Sequence, residues 1–135
     1  GALISAGEGS DWGGAPEGTT MGHVHLHVGD LARAEGFFHG ALGFDKTVWS
    51  YPGGLFFSAG GYHHHLGANI WSPGPSARAD EARLLEWELV VPEREQANDV
   101  AQRLRAGGYV VDQAPDGVRT SDPWGTGVYV RTKIS

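Results

Sequence analysis

The sequence contains no cysteine. This absence excludes disulfide bonds, thiolate metal sites and cysteine nucleophiles, and it leaves histidine and carboxylate side chains as the plausible metal ligands. No apolar run approaches the roughly 20 residues that a membrane-spanning helix needs. We therefore expect no membrane partner and a cytoplasmic location.

Positive charge is also scarce. The 135 residues include 10 lysines and arginines against 16 aspartates and glutamates, which gives a formal net charge of -6. Nucleic-acid binding depends largely on lysine and arginine contacts with phosphate, and no local basic cluster compensates for the overall charge. Nucleic acid is therefore not an expected partner, and the chain length fits a single domain.

Glycine and histidine, by contrast, are abundant. The chain has 22 glycines, which favour short strands joined by tight turns over a helix bundle. Six of the seven histidines fall into two clusters, His23/His25/His27 and His63/His64/His65. These clusters are the main functional signal in the sequence.

The same order of elements occurs twice along the chain. Apolar residues alternate with histidines over residues 23–28, which predicts a strand, and Asp30 can cap a helix that follows it. Three short strands come next, and this β-α-β-β-β order recurs after a linker rich in proline, serine and charge. Glu86 lies 63 positions after His23, and Gly117 lies 63 positions after Gly54, so corresponding residues of the two halves keep the same spacing, as in an internal repeat.

The repeat predicts the domain organisation. Residues 1–20 form a leader outside the core, and residues 21–135 form one domain made of module one (21–72), a linker (73–83) and module two (84–135). Neither module can bury its sheet alone. We predict an α+β fold in which the modules form one curved eight-stranded mixed sheet around a cleft, with the helices outside.

The first histidine cluster should face that cleft. Each helix packs on the apolar face of the first strand of its module, which leaves the histidines of that strand on the inner side. The repeat then places Glu86 opposite His23 and Glu88 opposite His25. Two imidazoles and a carboxylate suit a divalent metal such as Fe(II), Mn, Ni or Zn. The alternative is that the imidazoles line a wet groove and hydrogen-bond one another, glutamate and water.

The second cluster leaves alternatives open. Strand alternation lets either His63 and His65, or His64 alone, face the cleft. The neighbouring glycines invite a β-bulge, so alternation does not decide between them. We favour His65, with His63 as its substitute, and we expect His25 and His63 to contact a bound substrate.

Aromatic residues supply the other half of a binding site. Trp71 and Trp124 lie near turns at strand ends, and we expect both to contact a flat, partly apolar ligand. Phe57 and Tyr129 are further candidates for this contact. The competing interpretation is that most tryptophans of a small fold belong to its core.

These motifs carry a resemblance to a known family. GHVHLHVGDLARAEGFFHGALGF resembles the opening motif of the vicinal oxygen chelate superfamily, which includes glyoxalase I, extradiol dioxygenases, fosfomycin-modifying enzymes and bleomycin-binding proteins. FFSAGGYHHHLGANIW is similar to a segment of catechol 2,3-dioxygenase-like members, and SDPWGTGVYV resembles the ending of their second module. The resemblance spans residues 21–133 and implies the fold described above.

The resemblance also implies roles for individual residues. The first metal ligand of the family corresponds to His23. The second is a histidine in the family, and Glu86 stands at its position here. The third is a glutamate in the family, and Tyr129 stands at its position here. Since Tyr129 departs from the family pattern, His23, His65 and Glu86 form a replacement set with two histidines and one carboxylate. In the dioxygenases a histidine near this strand resembles the acid–base residue, which would make His65 catalytic. Glu88 is a second candidate for moving the proton.

Two functions follow from these observations. The first is a metal-dependent enzyme acting on a small vicinally oxygenated substrate, catechol-like or α-oxo, with dioxygenase- or glyoxalase-like chemistry. The second is a metal-free protein that sequesters a planar aromatic antibiotic or metabolite, which Tyr129 favours. We favour the enzyme, because a stacking groove does not need so many convergent ligands.

Gly-rich edge strands need covering, so we also expect a homodimer.

Overall fold

The computed structural model describes residues 13–133. Positions 1–12 of the predicted leader, residues 1–20, lie outside the described residues. The last two positions of predicted module two, 134 and 135, also lie outside them. No helix within residues 13–133 has the length and apolar character that crossing a membrane requires.

The first half of the chain folds as a strand, a helix and three further strands. Its elements are β1 (Val24–His27), α1 (Leu31–Glu35), a π-helical segment (Gly36–Ala41), β2 (Asp45–Tyr51), β3 (Gly54–Ser58) and β4 (Leu66–Asn69). The Asp30 carboxylate accepts a hydrogen bond from the Arg33 N–H at 2.7 Å and so caps α1, as predicted. The neighbouring Phe37 and Phe38 of the π-helical segment are both fully buried.

The second half repeats this order. Its elements are β5 (Glu86–Val91), α2 (Arg94–Ala106), β6 (Asp112–Ala114), β7 (Gly117–Ser121) and β8 (Gly127–Thr132). At the start of α2 the Gln96 side chain accepts a hydrogen bond from the Glu93 N–H at 3.1 Å. The helix buries residues at the spacing of an amphipathic helix, namely Ala97, Val100, Ala101 and Leu104. The predicted β-α-β-β-β order is confirmed for both halves.

The eight strands form two separate four-stranded mixed sheets. Their strand orders are β1-β4-β3-β2 and β5-β8-β7-β6, and in each sheet the first strand runs parallel to its neighbour. The predicted α+β fold class is confirmed. The two sheets do not join into one, because β1 and β5 are both edge strands and no hydrogen-bonded ladder links them in the described part of the chain.

The two halves meet through their helices. The Arg103 guanidinium on α2 donates hydrogen bonds to the carbonyl oxygens of Ala41 and Leu42, both at 3.3 Å, where the π-helical segment ends. The rings of Phe37 and Tyr109 pack edge to face with their centroids 5.0 Å apart. A continuous hydrophobic core includes residues of both halves. The helices thus cover one face of each sheet, and the opposite, polar faces stay open.

Candidate functional site

Strand β1 separates apolar from polar side chains. Val24 and Leu26 pack with the hydrophobic core, whereas His25 and His27 are exposed on the other side, as the two-residue period of a strand requires. The His25 ring rests on Gly67 of β4, where an added Cβ would lie 2.9 Å from the ring. Glycine at this position therefore makes room for the imidazole. We call this open side of the first sheet, which carries His25 and His27, the histidine face.

The second histidine cluster lies in a loop, not in the predicted strand. Because β4 begins only at Leu66, the three histidines belong to the β3–β4 connection. The connection turns at Gly60 and Gly61, whose φ angles of 64° and 76° suit glycine. Strand alternation does not apply in a loop, so His63 and His64 can both approach β1.

Three histidines converge where this loop meets the start of β1. One ring nitrogen each of His23, His63 and His64 lies within 4.8 Å of the other two. The ring centroids of His23 and His64 are 4.9 Å apart, and those of His63 and His64 are 4.5 Å apart. Three imidazoles could hold a divalent metal and leave coordination positions open for a substrate. We call His23, His63 and His64 the histidine group.

His25 supports the histidine group from the sheet. Its Nε2 lies 3.2 Å from Nε2 of His64, so one ring donates a hydrogen bond to the other. Desolvation lowers the pKa of His64, and the neighbouring imidazoles lower it further. A lowered pKa keeps the His64 ring neutral, which is the form that binds a metal.

The third histidine of the loop, His65, makes hydrogen bonds away from the histidine group. Its Nδ1 accepts a hydrogen bond from the Ala59 N–H at 3.2 Å and lies 3.2 Å from the Ser58 hydroxyl. A ring nitrogen that accepts from a backbone N–H carries a lone pair, so the neutral His65 ring bears its proton on Nε2. The structure therefore leaves the His65 Nε2–H free of the Ala59 contact, places the ring against Tyr62 with centroids 4.7 Å apart, and does not include His65 in the histidine group.

The predicted carboxylates lie on the open face of the second sheet, and each is paired with an arginine. The Glu86 carboxylate lies 3.1 Å from the Arg119 guanidinium, and Glu88 lies 2.8 Å from Arg131. The strand register places Glu88 opposite Tyr129. Neither glutamate belongs to the histidine group, so the structure does not bring the predicted ligands His23, His65 and Glu86 together.

Tyr129 is held in place by two neighbours on the second sheet. Its hydroxyl donates a hydrogen bond to the Asp116 carboxylate, and the Arg119 guanidinium lies over its ring, 3.7 Å from the centroid. The bond to Asp116 raises the pKa of Tyr129 and lowers the pKa of Asp116. The phenol is thus protonated and occupied, and it offers no ligand to a metal.

The two phenylalanines of β3 point in opposite directions. Phe57, a predicted ligand contact, is fully buried with its ring centroid 5.8 Å from that of Phe38, and so belongs to the core. Its neighbour Phe56 lies on the histidine face, with its ring centroid 5.3 Å from that of His64. Sequence reasoning missed Phe56, because an unbroken apolar run carries no alternation that marks the inward residue.

The two predicted tryptophan contacts also differ. Trp71 is half exposed, and its ring centroid lies 5.9 Å from that of Tyr51. Trp124 lies in the β7–β8 loop, where it is partly buried against the core, packs on Gly29 and lies beneath the Arg33 guanidinium. Trp71 therefore extends an exposed aromatic surface, whereas Trp124 joins the two halves of the chain.

Comparison with known proteins matches the sequence of this chain to a protein family and to a bacterial relative. Residues 20–131 match the profile of the Glyoxalase/Bleomycin resistance protein/Dioxygenase superfamily. The chain is 40% identical over 119 residues to a catechol-2,3-dioxygenase from Bacillus subtilis (strain 168). This alignment covers 85% of the chain but only 41% of the relative, so the chain spans about two fifths of the length of that protein.

Solved structures of several proteins are similar to this chain at low sequence identity. Lactoylglutathione lyase from Agrobacterium tumefaciens has a TM-score of 0.60 at 18% identity, over 87% of this chain and 96% of that one. An antibiotic binding protein from Streptomyces sp. CB03234 has a TM-score of 0.62 at 21% identity, over 89% of this chain and 100% of that one. At these identities the similarity establishes the fold and not the activity.

Proposed function

The chain belongs to the Glyoxalase/Bleomycin resistance protein/Dioxygenase superfamily, and we propose that it is a metal-dependent enzyme acting on a small, vicinally oxygenated substrate. The observation that carries this proposal is the convergence of His23, His63 and His64. The 40% identity to a catechol-2,3-dioxygenase supports a catechol-like substrate, with an α-oxo compound as the other choice.

The donor set of the histidine group fits a divalent metal. Three imidazoles suit a borderline ion, and Fe(II), Mn, Ni and Zn are the candidates. A bound metal would act as a Lewis acid on two neighbouring substrate oxygens and lower their pKa. Of the three predicted ligands, only His23 belongs to this set. His65 and Glu86 are instead hydrogen-bonded to Ala59 and Arg119, respectively.

The residues around the group would orient the substrate and hold its proton. His65, with its proton on Nε2, donates a hydrogen bond to a substrate oxygen and is our candidate acid–base residue. His25 holds His64 through their shared hydrogen bond and so positions a ligand. Glu88 is paired with Arg131, and its proposed part in proton transfer requires that this pair opens.

The test is turnover with one metal at a time. Protein loaded without oxygen with Fe(II), Mn(II), Ni(II) or Zn(II) is assayed for catechol cleavage by oxygen uptake and for isomerisation of a methylglyoxal–thiol adduct by absorbance. We expect one metal to support turnover and His23→Ala to lower it by about a hundredfold or more, because even outer-shell partners of a metal contribute 10–100-fold. The matched control is His39→Ala, since His39 is bonded to the Phe44 carbonyl away from the group. Absence of both metal uptake and turnover would overturn the proposal.

A metal-free binding protein is the second candidate. It is favoured by Tyr129, which occupies the position of the carboxylate ligand of the family and is bonded to Asp116. In that case planar aromatic compounds should quench tryptophan fluorescence in the metal-free protein. His23→Ala should leave this binding unchanged, which separates the two candidates.

We also propose that the chain forms a homodimer. Strands β1 and β5 each have a neighbour on one side only among residues 13–133, and the open edges of such strands invite association. Leu85, just before β5, is 68% exposed, and a second copy would bury it. Light scattering should give twice the chain mass of 14.4 kDa, and Leu85→Lys should shift it toward the single-chain value. A single-chain mass for the unaltered protein would contradict this expectation.

A further inference from the structure

A row of aromatic rings, partly buried at Phe56 and exposed at Tyr51 and Trp71, continues from the histidine group across the first sheet. Phe56 lies next to His64, and the ring centroid of Tyr51 is 5.5 Å from that of Phe56. The centroid of Trp71 is in turn 5.9 Å from that of Tyr51. Each step is within the range of direct aromatic contact. We call Phe56, Tyr51 and Trp71 the aromatic strip.

The outer end of the strip is exposed but held rigidly. Trp71 is 52% exposed, yet its Nε1 donates a hydrogen bond to the Pro52 carbonyl at 2.9 Å. Its backbone N–H donates to Asn69 Oδ1 at 3.2 Å, and the same oxygen lies 2.8 Å from Nδ1 of His27. The histidine face and the indole are therefore fixed relative to each other.

Two glycines make the room in which the indole lies. An added Cβ at Gly53 would come 2.9 Å from Nε1 of Trp71, and one at Gly54 would come 3.2 Å from its Cζ2. Gly53 also has a φ of 69°, which disfavours other residues. The turn between β2 and β3 thus seats Trp71 flat against the backbone.

A single exposed tryptophan on a protein surface needs no explanation. Here three rings adjoin one another, begin at the histidine group and end in an indole that is already immobilised. A preordered aromatic surface loses little conformational entropy when a ligand binds, so it binds planar groups efficiently. The strip carries no charged side chain, which fits an apolar group and not an ionic one.

We infer that the aromatic strip is a subsite for a planar apolar substituent of the substrate. This inference rests on the proposed function, because the substrate oxygens lie at the histidine group while the substituent stacks along Phe56, Tyr51 and Trp71. The preferred substrate is then an aryl-substituted diol or α-oxo compound, larger than catechol itself. Trp71 determines this specificity and takes no part in the chemistry at the oxygens.

The test compares two diols on the Zn(II)-loaded protein, in which no oxidation occurs. Calorimetry gives the Kd of catechol and of 4-phenylcatechol for the unaltered chain and for Trp71→Ala. We expect 4-phenylcatechol to bind about tenfold more tightly than catechol, as one added aromatic contact allows. Trp71→Ala should remove this difference and leave the Kd of catechol unchanged. The matched control is Trp49→Ala, since Trp49 is 78% exposed and packs beneath Lys46, apart from the strip.

The other outcomes are separable. Equal affinity for the two diols, or an advantage of 4-phenylcatechol that survives Trp71→Ala, overturns the subsite and leaves the proposed function standing. Failure of both diols to bind overturns the subsite, while the proposed function, which also allows an α-oxo substrate, is decided by the metal-uptake and turnover assay described above. Loss of catechol binding in Trp71→Ala with an unchanged circular dichroism spectrum would assign Trp71 to the oxygen site and also overturn the inference.

Discussion

Replacing His64 with alanine should weaken Zn(II) and Ni(II) binding by about a hundredfold or more, whereas replacing the adjacent His65 should leave the affinity nearly unchanged. The two residues are neighbours in the same loop and have the same side chain. Their expected difference therefore comes from the direction in which each ring is held. It does not come from composition or from position along the chain.

The geometry of the two rings explains the difference. A ring nitrogen of His64 lies within 4.8 Å of nitrogens of His23 and His63, and His25 supports the ring by a hydrogen bond. The Nδ1 of His65 is occupied by the Ala59 N–H, which leaves a protonated Nε2. Removal of His64 deletes one of the three converging imidazoles, while removal of His65 deletes a ring that is not among them.

Competition dialysis against a chromogenic chelator measures these affinities. His27→Ala is the matched control on β1, because His27 is bonded to Asn69 and lies outside the histidine group. An equal loss of affinity in His64→Ala and His65→Ala would contradict the assignment. It would mean that the His65 ring leaves its bond to Ala59 and binds the metal in the loaded protein.

The histidine group shows how far the sequence could lead. The alternation of β1 was strong enough to predict that His23 and His25 face away from the core. The three consecutive histidines carry no period, so the pattern could not show that they lie in a loop before Leu66. The sequence pattern leaves His64 among the alternatives, and only its approach to His23 in three dimensions distinguishes it.

The placement of the two halves was harder to predict than their internal order. The repeat predicts the strands and helices of both halves, but it does not predict which faces of the two halves pack together. Contacts such as those of Arg103 with the carbonyls of Ala41 and Leu42 decide this, and a capping arginine has no sequence signature. For the same reason the ion pair between Glu86 and Arg119 could not be predicted from the sequence.

Replacing Gly117 with alanine should lower the free energy of unfolding by about 3 kcal/mol or more, at the upper end of the cost of overpacking. Gly117 begins β7 and is paired with Arg131 of β8. An added Cβ would overlap the carbonyl oxygen of Val130 and lie 2.7 Å from the Cα of Arg131. Both are backbone atoms of a paired strand, so no rotation of a side chain can relieve the overlap.

Urea unfolding followed by circular dichroism measures this loss, and Gly36→Ala is the matched control. Gly36 is helical, and an added Cβ there meets no atom within 4 Å, so alanine should stabilise the chain by roughly 0.5–1 kcal/mol. The two glycine replacements should therefore act in opposite directions. If Gly117→Ala unfolds at the same urea concentration as the unaltered chain, β7 and β8 can separate without cost at this end. The contact of Tyr129 with Asp116, next to Gly117, would then be too loose to hold the phenol as described.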